Sequence, residues 1–147
     1  MSAFGGLPLS PGTIVRVSSA SEEPVPPALH ELESKVMDHL WDLGEAPVRD
    51  VLERINAGAR KPLAYTTVMT ILQRLDRKGV VTRRREGKMH VYSPMWSREV
   101  YQEARARAEV DDLVERFGEA ALVHFTRQMQ GLDRNRLAQL RRLARRA

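Results

Sequence analysis

A chain of 147 residues without cysteine has no disulfide, thiolate metal site or cysteine nucleophile, and its length suits one compact core with a smaller appendage. Its formal charge of +5 is segregated: residues 29–59 hold seven acids and three bases, whereas residues 60–90 hold nine bases against only Asp76 and Glu86. Such a split fits one face built for phosphate. No apolar run approaches the roughly 18 residues needed to span a bilayer, so a cytoplasmic chain without membrane insertion is expected.

Residues 1–28 are rich in Gly, Pro and Ser, lack the basic start of a secretory signal, and are expected to form a disordered arm. From His30 a helical stripe begins at Leu32, Val36, Leu40 and Leu43, widened by Met37 and Trp41, and Gly44 stops it. Ala46-Pro47-Val48 reads as a short extended piece. Val51, Leu52 and Ile55 belong to a second, short helix that ends at Asn56-Ala57-Gly58. A third helix starts after Pro62, near Tyr65; its apolar face is Val68, Ile71, Leu72 and Leu75, and Gly79 ends it. Two strand-like runs, Val80 to Arg85 and Lys88 to Met95, flank Glu86-Gly87, which predicts a hairpin turning at that dipeptide.

Helix, short strand, helix, helix and hairpin, in that order, make a winged helix-turn-helix over residues 29–96. The fold class is therefore mainly α with a small β-hairpin wing. Residues 97–147 read as three further helical pieces, the last after an N-cap at Asp133. Such short amphipathic helices leave apolar stripes uncovered, and a second copy of the chain is the simplest cover. Val114, Phe117, Leu122, Phe125, Met129, Leu137 and Leu140 are the expected dimerisation residues.

The third helix carries the chemistry. Opposite its apolar face stand Thr66, Thr67, Thr70, Gln73, Arg74 and Arg77, with Tyr65 at its start. Thr allows close approach and meets thymine methyls, while Gln and Arg reach base edges bidentately, each good pair being worth about 1–3 kcal/mol of discrimination. Arg60 and Lys61 before the helix, and Arg84, Arg85 and Lys88 on the wing, are expected to neutralise phosphates. Strand alternation sends Arg83 and Arg85 to one face and Arg84 to the other, so the three cannot all face DNA. The arginines at the end of the chain are read as solvated charges that complement a helix dipole.

Three other readings compete. Catalysis lacks a motif: His30, His39, His90 and His124 form no metal-ligand pair, and there is no phosphate-binding glycine loop. A winged helix used only for protein contact predicts an apolar recognition face instead of Thr, Gln and Arg. A sequence-independent, nucleoid-type DNA binder suits the basic C-terminus, yet needs neither a threonine-rich helix front nor a symmetric dimer.

The run LAYTTVMTILQRLDRKGVVTRRREGKMHVYSP, with LESKVMDHLWDLGEAPVRDVLERI before it, resembles the BlaI/MecI/CopY family of bacterial repressors, its actinobacterial β-lactamase-regulating members above all. The likeness is close over about residues 29–95 and looser at ALVHF, residues 121–125. It implies a homodimer on inverted-repeat operators that controls β-lactam resistance or related genes, with base reading by Thr66, Thr67, Thr70 and Arg74 and a wing at Arg84 to Lys88. It also implies a membrane-sensor-triggered protease as inactivating partner. The stretch near Ala108-Glu109 lacks the Asn-Phe bond cleaved in that branch, and the absence of cysteine excludes the thiolate copper site of another. No cofactor is implied.

Overall fold

A computed structural model describes residues 25–146. Most of the arm expected to be disordered, residues 1–24, lies outside the described residues. Its last part is docked: Pro26 is buried, and the Pro27 carbonyl accepts a 2.7 Å hydrogen bond from the Tyr101 hydroxyl. Prolines have little freedom to lose on docking, which keeps that anchorage inexpensive.

The elements are α1 (Glu31–Leu43), β1 (Ala46–Pro47), α2 (Val48–Asn56), α3 (Tyr65–Arg77), β2 (Val81–Glu86), β3 (Met89–Pro94), α4 (Arg98–Phe117), α5 (Glu119–Gln130) and α6 (Arg134–Arg146). The sheet is antiparallel in the order β1-β3-β2, with Ala46 opposite Tyr92 and Arg84 opposite Val91. Pro47 fits β1 because that strand is an edge, where a missing N–H costs no ladder bond. The hairpin turns at Gly87-Lys88, one residue beyond the expected Glu86-Gly87, and Glu86 is instead the last paired residue, opposite Met89. Gly87 has φ 63°, the positive value required at the first position of a two-residue hairpin loop.

Two compact units divide the chain after Ala104. In the first, α1, α2, α3 and the sheet enclose a core that includes Val36, Met37, Leu40, Val51, Val68, Leu72, Leu75, Val80 and Tyr92. Each of these large side chains contributes roughly 1.5–3 kcal/mol of apolar transfer on burial. Leu32, expected on the α1 stripe, is 42 % exposed, whereas its neighbour Glu33 is 1 % exposed. The residue that enters the core in the first turn of α1 is thus a carboxylate.

The first turns of α4 also belong to this unit. Trp41 Nε1 donates to the Trp96 carbonyl at 2.8 Å, and its ring meets Tyr101 at 5.4 Å and the Arg98 guanidinium at 5.5 Å. Arg98 also donates to the Asp38 carbonyl and to Asp42. The second unit, from Arg105, holds the rest of α4 with α5 and α6. Asp133 caps α6 by accepting the Arg136 amide at 2.7 Å. No described residue of α5 or α6 is buried, and Phe117 and Leu122 are more than half exposed.

Candidate nucleic-acid interface

Helix α3 presents four stripes. Val68, Ile71, Leu72 and Leu75 face the core. Opposite them, at steps of four, three and four residues, run Thr66, Thr70, Gln73 and Arg77, all exposed. Tyr65, Met69 and Asp76 share one flank by the same spacing, and Thr67, Arg74 and Lys78 share the other.

The entry to α3 is fixed by Asn56, the last residue of α2. Its side-chain amide donates to the Leu63 carbonyl at 2.9 Å, and its carbonyl oxygen accepts the Leu63 amide at 2.8 Å. These two bonds close the loop that carries exposed Arg60 and Lys61. In the sequence alone, Asn56 reads only as part of a helix stop.

Each flank of α3 is tied by ion pairs. On the wing side, Arg83 Nε lies 3.5 Å from Asp76, joining β2 to the helix. On the other, the buried Glu33 carboxylate accepts the Lys78 ammonium at 2.7 Å and faces Arg74 Nη1 at 4.0 Å. Burial pushes the Glu33 carboxyl up, but the His30 amide and the Lys78 ammonium outweigh that and hold it below its ordinary value. It is a carboxylate at neutral pH. The spacing of His30 and Glu33 is that of a capping box, and this was the legible signal.

The site residues therefore sort differently from expectation. Thr66, Thr70 and Gln73 stand together on the front, joined by Arg77, which the base-reading set had omitted. Thr67 is only half exposed, and Arg74 leans to the Glu33 flank. Tyr65 is 45 % exposed at the first position of the helix.

On the wing, Arg84 is the arginine already engaged by carboxylates. Its guanidinium donates to Glu45 at 2.7 Å and to Glu86 at 2.8 Å, so its charge is already balanced on the strand face opposite Arg83. Arg85 donates to the Gly87 carbonyl, and Lys88 sits exposed in the turn itself. Neither has an ion pair among the described residues, nor do Arg60, Lys61 and Arg77. Five unpaired cations thus lie on the loop, helix front and wing tip, a pattern suited to phosphates on either side of a read segment. No cluster of metal-ligating side chains is found among the described residues, and no described helix is long and apolar enough to cross a membrane.

A family model described as penicillinase repressor matches residues 29–146. The transcriptional regulator BlaI of Mycobacterium tuberculosis, in strains CDC 1551/Oshkosh and ATCC 25618/H37Rv, is 43 % identical over 105 residues, which cover 69 % of this chain and 73 % of that protein. Among solved structures, the DNA-binding domain of the repressor BlaI is 24 % identical with a TM-score of 0.45, over 54 % of this chain and 93 % of that one. Monomeric BlaI of Bacillus licheniformis, solved with the blaP half-operator, is 25 % identical with a TM-score of 0.43, over 52 % and 90 %.

Proposed function

The chain belongs to the penicillinase repressor family, and from that membership we infer a sequence-specific DNA-binding transcriptional repressor and not an enzyme. The observation that best supports this reading in the molecule is the front of α3. Thr66, Thr70, Gln73 and Arg77 form one exposed row free of carboxylates, and its two flanks are fixed by Asp76–Arg83 and Glu33–Lys78. Such a row suits insertion into the major groove, where hydroxyl, amide and guanidinium groups reach base edges. Arg60, Lys61, Arg85 and Lys88 neutralise the neighbouring phosphates.

The remaining parts of the reading concern assembly and control. Two copies join through α4, α5 and α6, using the apolar side chains left exposed in the second unit, and set two α3 helices against a dyad-symmetric operator. Residues 29–96 then form the reading domain and residues 97–147 the dimerisation region. Promoter occupancy in the cytoplasm blocks transcription, and loss of the dimer, through a sensor-triggered protease, releases it. The regulated genes are those of β-lactam resistance or a related stress, in keeping with the description of the family as penicillinase repressor.

The test is a fluorescence-anisotropy titration against an inverted-repeat duplex drawn from the operators of the protein's own genome, and against its scrambled counterpart, over a salt series. Tight binding with a large preference for the repeat is expected. Equal, steeply salt-dependent binding to both would replace the repressor with a nucleoid-type binder, and no binding to either would leave a protein-contact module.

A further inference from the structure

Glu33 is the one charged side chain in the core among the described residues. Its two oxygens are treated unequally. Oε1 accepts the His30 amide at 2.9 Å and the Lys78 ammonium at 2.7 Å. Oε2 is equally shut from water and has no hydrogen bond at all. The cation that faces it is Arg74, with Nη1 at 4.0 Å.

A desolvated carboxylate oxygen without a donor is costly, and at this separation a partly dry site strengthens the attraction of a guanidinium well beyond its value in water. Arg74 in the last turn of α3 and its C-cap Lys78 are four residues apart, so both reach the same carboxylate from the same flank. The Arg74 side chain remains 46 % exposed, which leaves outward N–H groups for an anion. Its guanidinium thus lies on the Glu33 flank of α3 and not in the front row.

We propose that Glu33 is a positioning residue of the DNA-reading surface: it holds Arg74 on the flank of α3 as a phosphate-directed cation and keeps it off the base edges. Sequence choice is thereby left to Thr66, Thr70, Gln73 and Arg77. The proposal rests on the repressor reading above and assigns opposite roles to two arginines of one helix. A Glu33 that served only as core counter-ion to Lys78 would affect stability and leave base preference alone.

The experiment uses the full-length protein, a duplex selected by the wild type from a random pool, and a shuffled duplex of the same composition, titrated by anisotropy across a KCl series. Arg74→Gln, at a side chain 46 % exposed, should weaken binding to both duplexes by the same factor and lower the salt slope by about 1 per subunit. Glu33→Gln should cut the preference for the selected duplex by about fivefold or more, because the released arginine binds the shuffled duplex more tightly. In the double variant that cut should vanish relative to Arg74→Gln alone. Loss of preference in Arg74→Gln would show that Arg74 reads bases and overturn the proposal. Wild-type preference in Glu33→Gln, or an equal cut in both backgrounds, would overturn it as well. A wild type with no preference for any selected duplex would overturn the repressor reading first, and this assignment with it.

Discussion

Asn56 and Leu63 exchange two hydrogen bonds across the turn between α2 and α3, one in each direction, so a single side chain stands in for a rung of backbone ladder. The loop between them carries Arg60 and Lys61, and the helix after it carries the row proposed to read bases. Orientation of the site thus depends on a residue outside it.

Replacing Asn56 by Ala removes both bonds and leaves the Leu63 amide and carbonyl to find water. At about 1 kcal/mol per bond, with an added cost where a group stays dry, the loss should be roughly 1–3 kcal/mol. Thermal unfolding should therefore shift down by several degrees, and Asn56→Asp, which keeps only the acceptor, should fall between. Operator affinity should drop in both variants; an Asn56→Ala protein with wild-type melting and binding would refute the clamp.

The wing arginines divide by partner. Arg84 is held by Glu45 and Glu86, both exposed, in pairs that contribute at most about 1 kcal/mol, whereas Arg85 and Lys88 have no carboxylate partner among the described residues. Arg84→Ala should leave the salt dependence of DNA binding nearly unchanged. Arg85→Ala and Lys88→Ala should each lower the slope of log affinity against log salt by about 1 per wing contact. The reverse ranking in salt titrations would return Arg84 to the phosphate-binding set first expected of it.

Glu33 makes stability depend on pH in one direction. Its folded-state carboxyl lies below the ordinary value, because the His30 amide and Lys78 outweigh the opposing effect of burial. A depressed carboxyl binds its proton more weakly in the folded chain than in the unfolded one. Its contribution is therefore full above the unfolded value of about 4.3, and is lost as pH falls through the lower folded value. Glu33→Gln should be less stable than the wild type at pH 7, by about 1–3 kcal/mol, and the gap should close on acidification toward pH 3. Urea midpoints that stay a constant distance apart from pH 7 to pH 3 would contradict this.

How much of this was legible in the sequence follows from distance along the chain. The stripe Val68, Ile71, Leu72 and Leu75 has a period of one helix, and Gly44 and Gly79 each turn the backbone where a helix stops, so the elements and the exposed face of α3 could be read locally. The hairpin was legible but displaced by one residue, because only the torsion at Gly87 decides which two residues make the loop. Roles that depend on partners far away were not legible. Arg84 meets Glu45 at a separation of 39 residues, and Lys78 meets Glu33 at 45. Periodicity assigns a charge to a face, yet only the fold decides whether a carboxylate is waiting there.

Burial within the single chain decides which residue can report on dimerisation. Phe125 is half buried within a single chain, so Phe125→Asp would disturb the protomer as well as any interface. Leu122, on the same helix, is 51 % exposed, so a charge there costs the lone chain little and an apolar interface much. Leu122→Asp should give a monomer by light scattering while keeping wild-type helix content by circular dichroism. Its affinity for a full inverted repeat should then fall toward that for a half-site, a loss of about 10²–10⁴, because the second recognition helix is no longer delivered at high effective concentration. Binding to an isolated half-site should be unchanged. A monomer that still bound the full repeat as tightly as the wild type would place the affinity in the winged unit alone and remove dimer loss as the route to induction.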